Sequence, residues 1–212
     1  MMTGSLVFYT NPLSRGRIVR WMLEETGAPY RTETVEFGPA MKSGDFLATN
    51  PMGKVPAIRH GDTVVTETAA ICAYLADAFP DARLAPEPAM RGPYYRWLFF
   101  AAGPLEAASS ERARGIEPET PRQRMMVGYG TFAAVMDTLE HAVSDREFVA
   151  GDSFSAADVY VGSHIGWGLR FGTIEARAAF SEYWSRLSAR EACQRATQLD
   201  DALADEQQQP AT

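Results

Sequence analysis

The sequence predicts an α+β protein in which a small domain of strands and helices precedes an all-helical bundle. In the first eighty residues, short strand patterns alternate with helical patterns. After Phe79, four prolines punctuate a stretch that leads into purely helical periodicity. This change of texture marks a domain boundary. We assign residues 1–80 to the first domain, 81–90 to a linker, 91–201 to the helical domain and 202–212 to a flexible tail.

The elements of the first domain follow from their apolar spacing. An apolar run of strand length, Leu6–Tyr9, is followed by helical spacing between Ser14 and Gly27. The further predicted elements are strands at Thr32–Val35, Val55–Arg59 and Thr63–Val65, the last two joined in hairpin style, and a helix from about Glu67 to Phe79 with Thr66 as its N-cap. The order β-α-β, then β-β-α, is typical of a thioredoxin-like domain, which has the full order βαβαββα with a further helix after the second strand, although the same elements could be connected otherwise.

Four long helical patterns make up the second domain. They span Tyr94–Ser110, Arg122–Val143, Ser155 to about Leu169, and Glu175–Arg186. Ser155 and Asp158 form a Ser-x-x-Asp capping box, in which each side chain satisfies a backbone N–H group at the helix start. The box predicts that a helix begins cleanly at this point inside the bundle.

Composition and charge exclude several classes of function. The chain has 212 residues, 46% of them apolar and 22% charged, and lacks an uninterrupted apolar stretch near eighteen residues, which predicts a globular protein with no membrane span. A net charge of −7 without a Lys/Arg stripe argues against a nucleic-acid partner. The three histidines lack metal-ligand spacing, and no nucleophile elbow or phosphate-binding glycine loop is present, so no metal site, hydrolase or nucleotide enzyme is predicted.

The N-terminus and the cysteines predict the compartment. The first residues include no basic region, and their apolar run of four residues is too short for a signal peptide. The two cysteines, Cys72 and Cys193, are too few for a disulfide framework and lie far apart in the sequence. We therefore expect a cytoplasmic protein with free thiols.

The charged residues of the first helical pattern suggest a surface face. Arg15, Arg17 and Arg20 alternate with apolar positions and are followed by Glu24 and Glu25. Because Arg20 and Glu24 have i,i+4 spacing, the pattern predicts a solvated helix face on which they pair.

Three motifs occur in order along the chain. They are Asn50-Pro51-Met52-Gly53-Lys54-Val55-Pro56-Ala57-Ile58, Thr66-Glu67-Thr68-Ala69-Ala70-Ile71 and Phe154-Ser155-Ala156-Ala157-Asp158. Together they resemble the cytosolic glutathione transferase family, and the resemblance extends from Leu6 to about Leu187. It implies a glutathione-binding thioredoxin-like domain and a helical domain that holds an apolar electrophile. It also implies a homodimer in which the first domain of one chain rests on the helical domain of the other.

The resemblance implies a glutathione site at the first two motifs. A generic X-Pro bond is cis in only about 5% of cases, but the family's proline is cis, so we expect a cis Val55–Pro56 bond and pairing of the Val55 backbone with the cysteinyl part of glutathione. Thr68 would bind the γ-glutamyl carboxylate through its N–H and hydroxyl at a helix start, and Glu67 would pair with the ammonium group. Lys54 could reach the glycyl carboxylate. Alone, Glu67-Thr68 would be an ordinary helix start and Lys54 a solvated lysine.

The loop after the first strand should hold the residue that activates the glutathione thiol. A free thiol has a pKa near 8.5 and needs a hydrogen-bond donor, aided by a helix N-terminus, to become a thiolate at neutral pH. Ser14 is similar to the serine of the serine-type classes and is equally placed to be the helix N-cap. The triplet Arg15-Gly16-Arg17 resembles the tyrosine-type classes, yet Asn11 stands where their tyrosine would be and Tyr9 lies two residues too early. The order of preference is Ser14, Asn11, Tyr9. The loop contains no cysteine, which disfavours a cysteine-type mechanism.

The aromatic residues of the second domain predict bundle core and part of an electrophile pocket. Leu13, Tyr95 and Trp167 are the candidates for a concave apolar site between the domains. Conjugation, isomerisation, peroxide reduction and dehalogenation all stay open, because each uses the same thiolate. A family member that has lost catalysis and serves as a binding or regulatory module would carry the same motifs.

Overall fold

The computed structural model describes residues 4–208, and the chain divides into two compact units. The first unit contains the residues up to Leu84 together with those from Arg190 onward, and the second contains Ala85–Ala189. The strands are β1 (Leu6–Thr10), β2 (Arg31–Thr34), β3 (Ala57–His60) and β4 (Thr63–Thr66). The helices are α1 (Gly16–Thr26), α2 (Gly44–Thr49), α3 (Thr68–Ala78), α4 (Arg91–Phe100), α5 (Glu106–Ala113), α6 (Pro121–Met126), α7 (Phe132–Val143), α8 (Ala156–Phe171), α9 (Ala178–Ser188) and α10 (Glu191–Gln208).

The first unit is built on a four-stranded mixed sheet with the order β2-β1-β3-β4. β1 runs parallel to β2, to which it is joined through α1, and β3 is antiparallel to both β1 and β4. This topology confirms the thioredoxin-like domain. Each strand begins and ends within two residues of the predicted bounds.

The core of this unit is formed by α1, α3 and one face of the sheet. The helical spacing of α1 buries Ile18, Val19, Met22 and Leu23, none of them more than 1% exposed. Phe8 is fully buried, as expected from the alternation of side chains along β1. From the sheet and from α3, the fully buried residues Ile58, Ile71 and Leu75 complete this core.

The C-terminal segment corrects the predicted domain organisation. Residues 202–208 were predicted as flexible tail but belong to α10; residues 209–212 of that prediction lie outside the described part of the chain. The buried residues Ala192, Ala196, Asp200 and Ala204 lie four apart and so form one helix face. α10 packs on α1 within the first unit, and the helical unit therefore ends at Ala189 instead of at residue 201.

Within residues 4–208, four ion pairs join α1 to α10 or to the residue just before it, and they are here called the α1–α10 ion pairs. They are Arg17–Asp201 (2.7 Å), Arg20–Asp200 (2.7 Å), Glu24–Arg195 (3.2 Å) and Glu25–Arg190 (2.7 Å). As the residue numbers of the α1 partners increase, those of their partners in the C-terminal segment decrease. α10 therefore lies antiparallel to α1.

The prediction that Arg20 lies on a solvated face and pairs with Glu24 is wrong. The Arg20 side chain is only 3% exposed, and its Nε donates to Oδ1 of Asp200, which is equally buried. Its Nη1 donates to the hydroxyls of Tyr30 and Thr32, both at 3.2 Å. The i,i+4 spacing could not reveal this partner, because Asp200 lies 180 residues further along the chain.

The second unit consists of helices α4 to α9. α4 continues through a π-helical turn at Ala101–Leu105 into α5, in agreement with the predicted long helix from Tyr94. The single helix predicted at Arg122–Val143 is wrong, because α6 and α7 are separate. Gly130 between them has φ 73°, and Thr131 caps α7 by accepting the N–H of Ala134. Within residues 4–208, no helix is both long and apolar enough to cross a membrane.

The predicted capping box at the start of α8 is present. Asp158 Oδ2 accepts from the N–H of Ser155 (2.9 Å) and from its hydroxyl (3.0 Å). Asp158 Oδ1 accepts from the N–H of Val149 and from the Tyr183 hydroxyl, both at 2.7 Å. Asp158 is fully buried, so this carboxylate joins the start of α8 to the preceding loop and to α9. The sequence predicted only the first of these connections.

Candidate functional site

The strand register brings three separate segments to one end of the sheet. Tyr9 of β1 pairs with Ala57 of β3, and Ala57 pairs with Thr66 of β4. Neighbouring strands lie about 4.8 Å apart, so β1 and β4 are roughly 10 Å apart at this row. The loop after β1, the residues before β3 and the start of α3 therefore border the same edge of the first unit.

The loop after β1 is held by hydrogen bonds of its own side chains. Asn11 is 2% exposed; its Nδ2 donates to the carbonyl oxygen of Val35 (3.1 Å), and its Oδ1 accepts the N–H of Leu13 (3.0 Å). Arg17 Nε donates to the carbonyl oxygen of Pro12 (2.6 Å). Both ends of the buried Asn11 amide are thus engaged, which supports a structural role for this residue.

Ser14 lies immediately before α1. Its hydroxyl donates to the carbonyl oxygen of Asn11 (2.7 Å) and accepts the N–H of Gly16 (3.0 Å). The N-cap position is Arg15, whose side chain makes no capping bond, so the Ser14 hydroxyl satisfies one of the N–H groups of the first turn. Ser14 is partly exposed, and a hydroxyl can rotate its proton toward another acceptor.

Tyr9 lies on β1 and is directed away from the start of α1. Its hydroxyl accepts a weak hydrogen bond from Arg59 Nε (3.4 Å), and its ring packs against Phe46 with centroids 6.0 Å apart. Side chains alternate along a strand, so Tyr9 faces the opposite side of the sheet from Phe8 and Thr10. These contacts support a packing role.

The Val55–Pro56 bond is cis, as the resemblance predicted. Val55 is partly exposed, and neither its N–H nor its C=O has a hydrogen-bond partner in the described part of the chain. Asn50, 3% exposed, braces the preceding turn by accepting the N–H of Met52 (3.1 Å) and donating to the carbonyl oxygen of Lys54 (2.7 Å). The sequence motif included Asn50 without giving it a role, although Asn before Pro is a common turn signal.

Glu67 carries the chain from β4 into α3 with φ 65° and ψ 117°, outside the regions that non-glycine residues favour. Backbone of this kind persists where the surroundings require it and is frequent at ligand sites. Thr66 is the last residue of β4, so the prediction that it caps the helix is wrong. α3 begins at Thr68 with no side-chain cap, and its first N–H groups are therefore free of intrahelical partners.

Comparison with known proteins identifies the family. The model of the glutathione S-transferase N-terminal domain matches residues 15–78. Glutathione S-transferase GstA of Escherichia coli is 30% identical over 150 residues, which cover 68% of this chain and 73% of that protein. The chain belongs to the glutathione S-transferase family.

Solved glutathione transferase structures share the fold over nearly the whole chain. One from Methylococcus capsulatus has a TM-score of 0.77 at 27% identity, with 93% of this chain and 99% of that chain covered. A homologue from Sulfitobacter, solved with bound glutathione, has a TM-score of 0.71 at 26% identity and covers 99% and 100%. The extent of these matches confirms the α+β class, with a thioredoxin-like domain and a mostly helical second domain.

The three residues predicted to line an electrophile pocket belong to different units of this glutathione transferase homologue. Leu13 is in the first unit and is 66% exposed. Tyr95 and Trp167 are in the second unit; Tyr95 is 42% exposed and its ring packs on Tyr94, while Trp167 is partly buried.

Neither cysteine is suited to act as the nucleophile of a glutathione transferase. Burial raises the pKa of the fully buried Cys72 thiol to about 12. Burial, together with the nearby Glu25 carboxylate, raises the pKa of Cys193 to about 11. Both thiols are therefore protonated near neutral pH and unreactive. Among residues 4–208, no group of three or more His, Cys, Asp or Glu side chains is placed to hold a metal ion.

Gly16 lies where α1 approaches β1 too closely for a side chain. A Cβ atom there would lie 1.9 Å from Oγ1 and 3.1 Å from Cβ of Thr10, which is fully buried. We expect Gly16→Ala to lower the free energy of unfolding by about 1–3 kcal/mol, because Thr10 and the start of α1 must move apart.

Urea unfolding followed by circular dichroism measures this effect. Gly44→Ala is the matched control, because Gly44 also begins a helix and has no atom within 4 Å of its added Cβ. Equal stability of the two variants would contradict the close approach.

Proposed function

We propose that this chain is a glutathione transferase that binds glutathione at the β1–β3–β4 edge and activates its thiol with Ser14. The observation that carries the proposal is the convergence there of the Ser14 loop, the Val55–Pro56 peptide and the start of α3. In the described part of the chain, the Val55 peptide groups and the first N–H groups of α3 have no partner, and the Ser14 hydroxyl, which bonds to Asn11 and Gly16, can rotate its proton toward another acceptor. Glutathione requires three such groups: a site for its γ-glutamyl carboxylate, a backbone that pairs with its cysteinyl residue, and a hydrogen-bond donor for its sulfur.

The backbone of Val55 is proposed to pair with the cysteinyl residue of glutathione. Val55 is partly exposed, its N–H and C=O have no partner within residues 4–208, and one residue of extended peptide could satisfy both. The role belongs to the backbone, so the Val55 side chain is free to vary.

The start of α3 is proposed to bind the γ-glutamyl end. The free N–H groups of the first turn and the positive end of the helix dipole favour a carboxylate beside Thr68. The exposed Glu67 carboxylate is next to this position and would pair with the ammonium group. Lys54 is exposed before the cis bond and is proposed to attract the glycyl carboxylate.

Ser14 is proposed to stabilise the thiolate. Its proton now points to the carbonyl oxygen of Asn11, and rotation toward sulfur would exchange a neutral acceptor for a charged one, which forms the stronger hydrogen bond. The N–H of Gly16 would continue to donate to the hydroxyl oxygen and so polarise it. The engaged amide of Asn11 and the remote hydroxyl of Tyr9 support Ser14 over both alternatives.

The co-substrate is proposed to be a small apolar electrophile that meets the thiolate near the exposed Leu13. A homodimer is proposed as the working form, to be checked by sedimentation. The same thiolate would serve isomerisation or peroxide reduction, so assays with electrophile, isomerisable and peroxide substrates should be run together.

Titration of the bound glutathione thiol tests the proposal. We expect the thiolate absorbance of the complex to titrate with a pKa at least about one unit below the free value near 8.5, equivalent to about 1.4 kcal/mol of preferential thiolate binding. Binding with an unshifted thiol would instead support a non-catalytic binding module. Failure to bind glutathione would contradict both.

Thr68→Val tests the carboxylate site. The substitution keeps the shape of the side chain and removes its hydroxyl, so the Kd for glutathione measured by calorimetry should rise about tenfold, as expected for a hydrogen bond to a charged group. Thr66→Val, two residues earlier on β4, is the control and should bind normally. Equal affinities for the two variants would remove Thr68 from the site.

A further inference from the structure

Arg17 connects the loop that carries Ser14 to the C-terminal helix. Its Nε donates to the carbonyl oxygen of Pro12 at 2.6 Å, and its Nη2 lies 2.7 Å from Oδ1 of Asp201 on α10. One planar guanidinium group thus holds two elements that are far apart in sequence. The other three α1–α10 ion pairs use residues further along α1 and make no such bond to the loop.

The bond to Pro12 acts at the middle of the loop. Pro12 lies between Asn11, whose carbonyl oxygen accepts the Ser14 hydroxyl, and Ser14 itself. Asn11 anchors one side of the loop to Val35, and Arg17 anchors the other side to α1. A movement of the Pro12 carbonyl would therefore displace Ser14 relative to the start of α1.

Asp201 determines the orientation of the guanidinium. The Arg17 side chain is 20% exposed and that of Asp201 is 55% exposed, so this ion pair contributes little to the stability of the fold. The ion pair acts through geometry. A guanidinium group bound to a carboxylate has fewer accessible rotamers, so the Nε–H of Arg17 stays directed at the carbonyl oxygen of Pro12.

We infer that Arg17, oriented by Asp201, is a positioning residue that sets the place of the Ser14 hydroxyl, so that α10 forms part of the catalytic apparatus. This inference rests on the proposed function. A displacement near 1 Å of a catalytic group can cost as much as ~10²-fold in rate. Partial loosening of the loop should therefore lower kcat about 5–20-fold with little change in the Kd for glutathione.

Two substitutions and one control test the inference. Asp201→Asn removes the charge that orients Arg17. Arg17→Lys keeps a charge for Asp201 but loses the fork that reaches Pro12. The control is Arg195→Gln, which breaks the Glu24 pair at the other end of α1 and whose side chain is 50% exposed, close to that of Asp201.

Three readouts separate positioning from stability. We expect both test variants to lower kcat and to raise the pKa of the bound thiol toward the free value, while Arg195→Gln leaves both unchanged. Melting temperatures of Asp201→Asn and Arg195→Gln should fall by similar small amounts. Hydrogen exchange at the amides of Leu13 and Gly16, which are protected by Asn11 and Ser14, should accelerate in the test variants alone.

The outcomes distinguish this inference from the proposed function. Unchanged exchange at Leu13 and Gly16 in Asp201→Asn would overturn the inference, and so would equal kinetic effects of Asp201→Asn and Arg195→Gln. A different result is faster exchange in Asp201→Asn together with no change in the pKa of the glutathione thiol when it binds the unaltered protein. That result would overturn the proposed function, while the coupling of α10 to the loop would stand.

Discussion

Ser14→Ala should reduce turnover with a generic apolar electrophile by at least ~10²-fold, because a positioned hydrogen-bond donor at developing or resident charge typically contributes that much. The pKa of the bound thiol should return toward 8.5. Both effects have one cause, because the alanine side chain cannot donate a hydrogen bond to sulfur. The measurements are steady-state kinetics and the thiol titration described above.

The loss must be separated from damage to the loop. Ser14→Ala also removes the acceptor for the N–H of Gly16, which should cost about 1 kcal/mol of stability. Asn11→Ala is the companion variant, because it removes loop hydrogen bonds while keeping the hydroxyl. If Ser14→Ala stays within a few-fold of the unaltered protein while Asn11→Ala abolishes the thiol shift, Ser14 is not the activator.

Asp158→Ala should lower the free energy of unfolding by about 3 kcal/mol or more, because four donors from three segments would be left without their acceptor in a fully buried site. Globular proteins are stable by only about 5–15 kcal/mol, so this one substitution removes a large part of the total. Burial and the Asp158 carboxylate raise the pKa of Tyr183 well above its usual value, which keeps its hydroxyl protonated as a donor.

Graded variants identify the source of this loss. Ser155→Ala removes only the capping hydroxyl and should cost about 1 kcal/mol, and Tyr183→Phe removes only one donor and should cost about as much. Urea unfolding of all three variants provides the comparison. A loss for Asp158→Ala no greater than that for Ser155→Ala would mean that the carboxylate acts only as a helix cap.

The elements that could be predicted are those specified by neighbouring residues. β1, α1 and the β3–β4 hairpin carry clear apolar periodicity, and the capping box names the start of α8 through residues three apart. The division between α6 and α7 was missed because apolar periodicity continues across it, while the turn depends on Gly130 and the Thr131 cap. α10 was missed because its acidic composition hides a face of small residues, and its partners on α1 lie more than 160 residues away.

The candidate site divides in the same way. The cis bond at Val55–Pro56 could be predicted from the family resemblance but not from the residues alone. The helix start was predicted to within one residue, although its cap at Thr66 was not correct. The hydrogen bonds that hold the loop after β1 could not be predicted. Asn11 is bonded to Val35, which follows β2, and Arg17 is paired with Asp201 of α10. Side-chain partners of this kind depend on which segments the fold brings together, and they cannot be predicted from the spacing of neighbouring residues.

The burial of Cys72 and Cys193 has a consequence if the protein acts on electrophiles as proposed. A reactive co-substrate that meets an activated glutathione would also react with an accessible cysteine thiolate of the protein, and alkylation of a core cysteine would place a foreign group in the packed interior. With both cysteine thiols protonated and buried, the thiolate offered to such a compound is the one that arrives with glutathione. Under the proposed function, the fold thus keeps both cysteines out of reach of the electrophile.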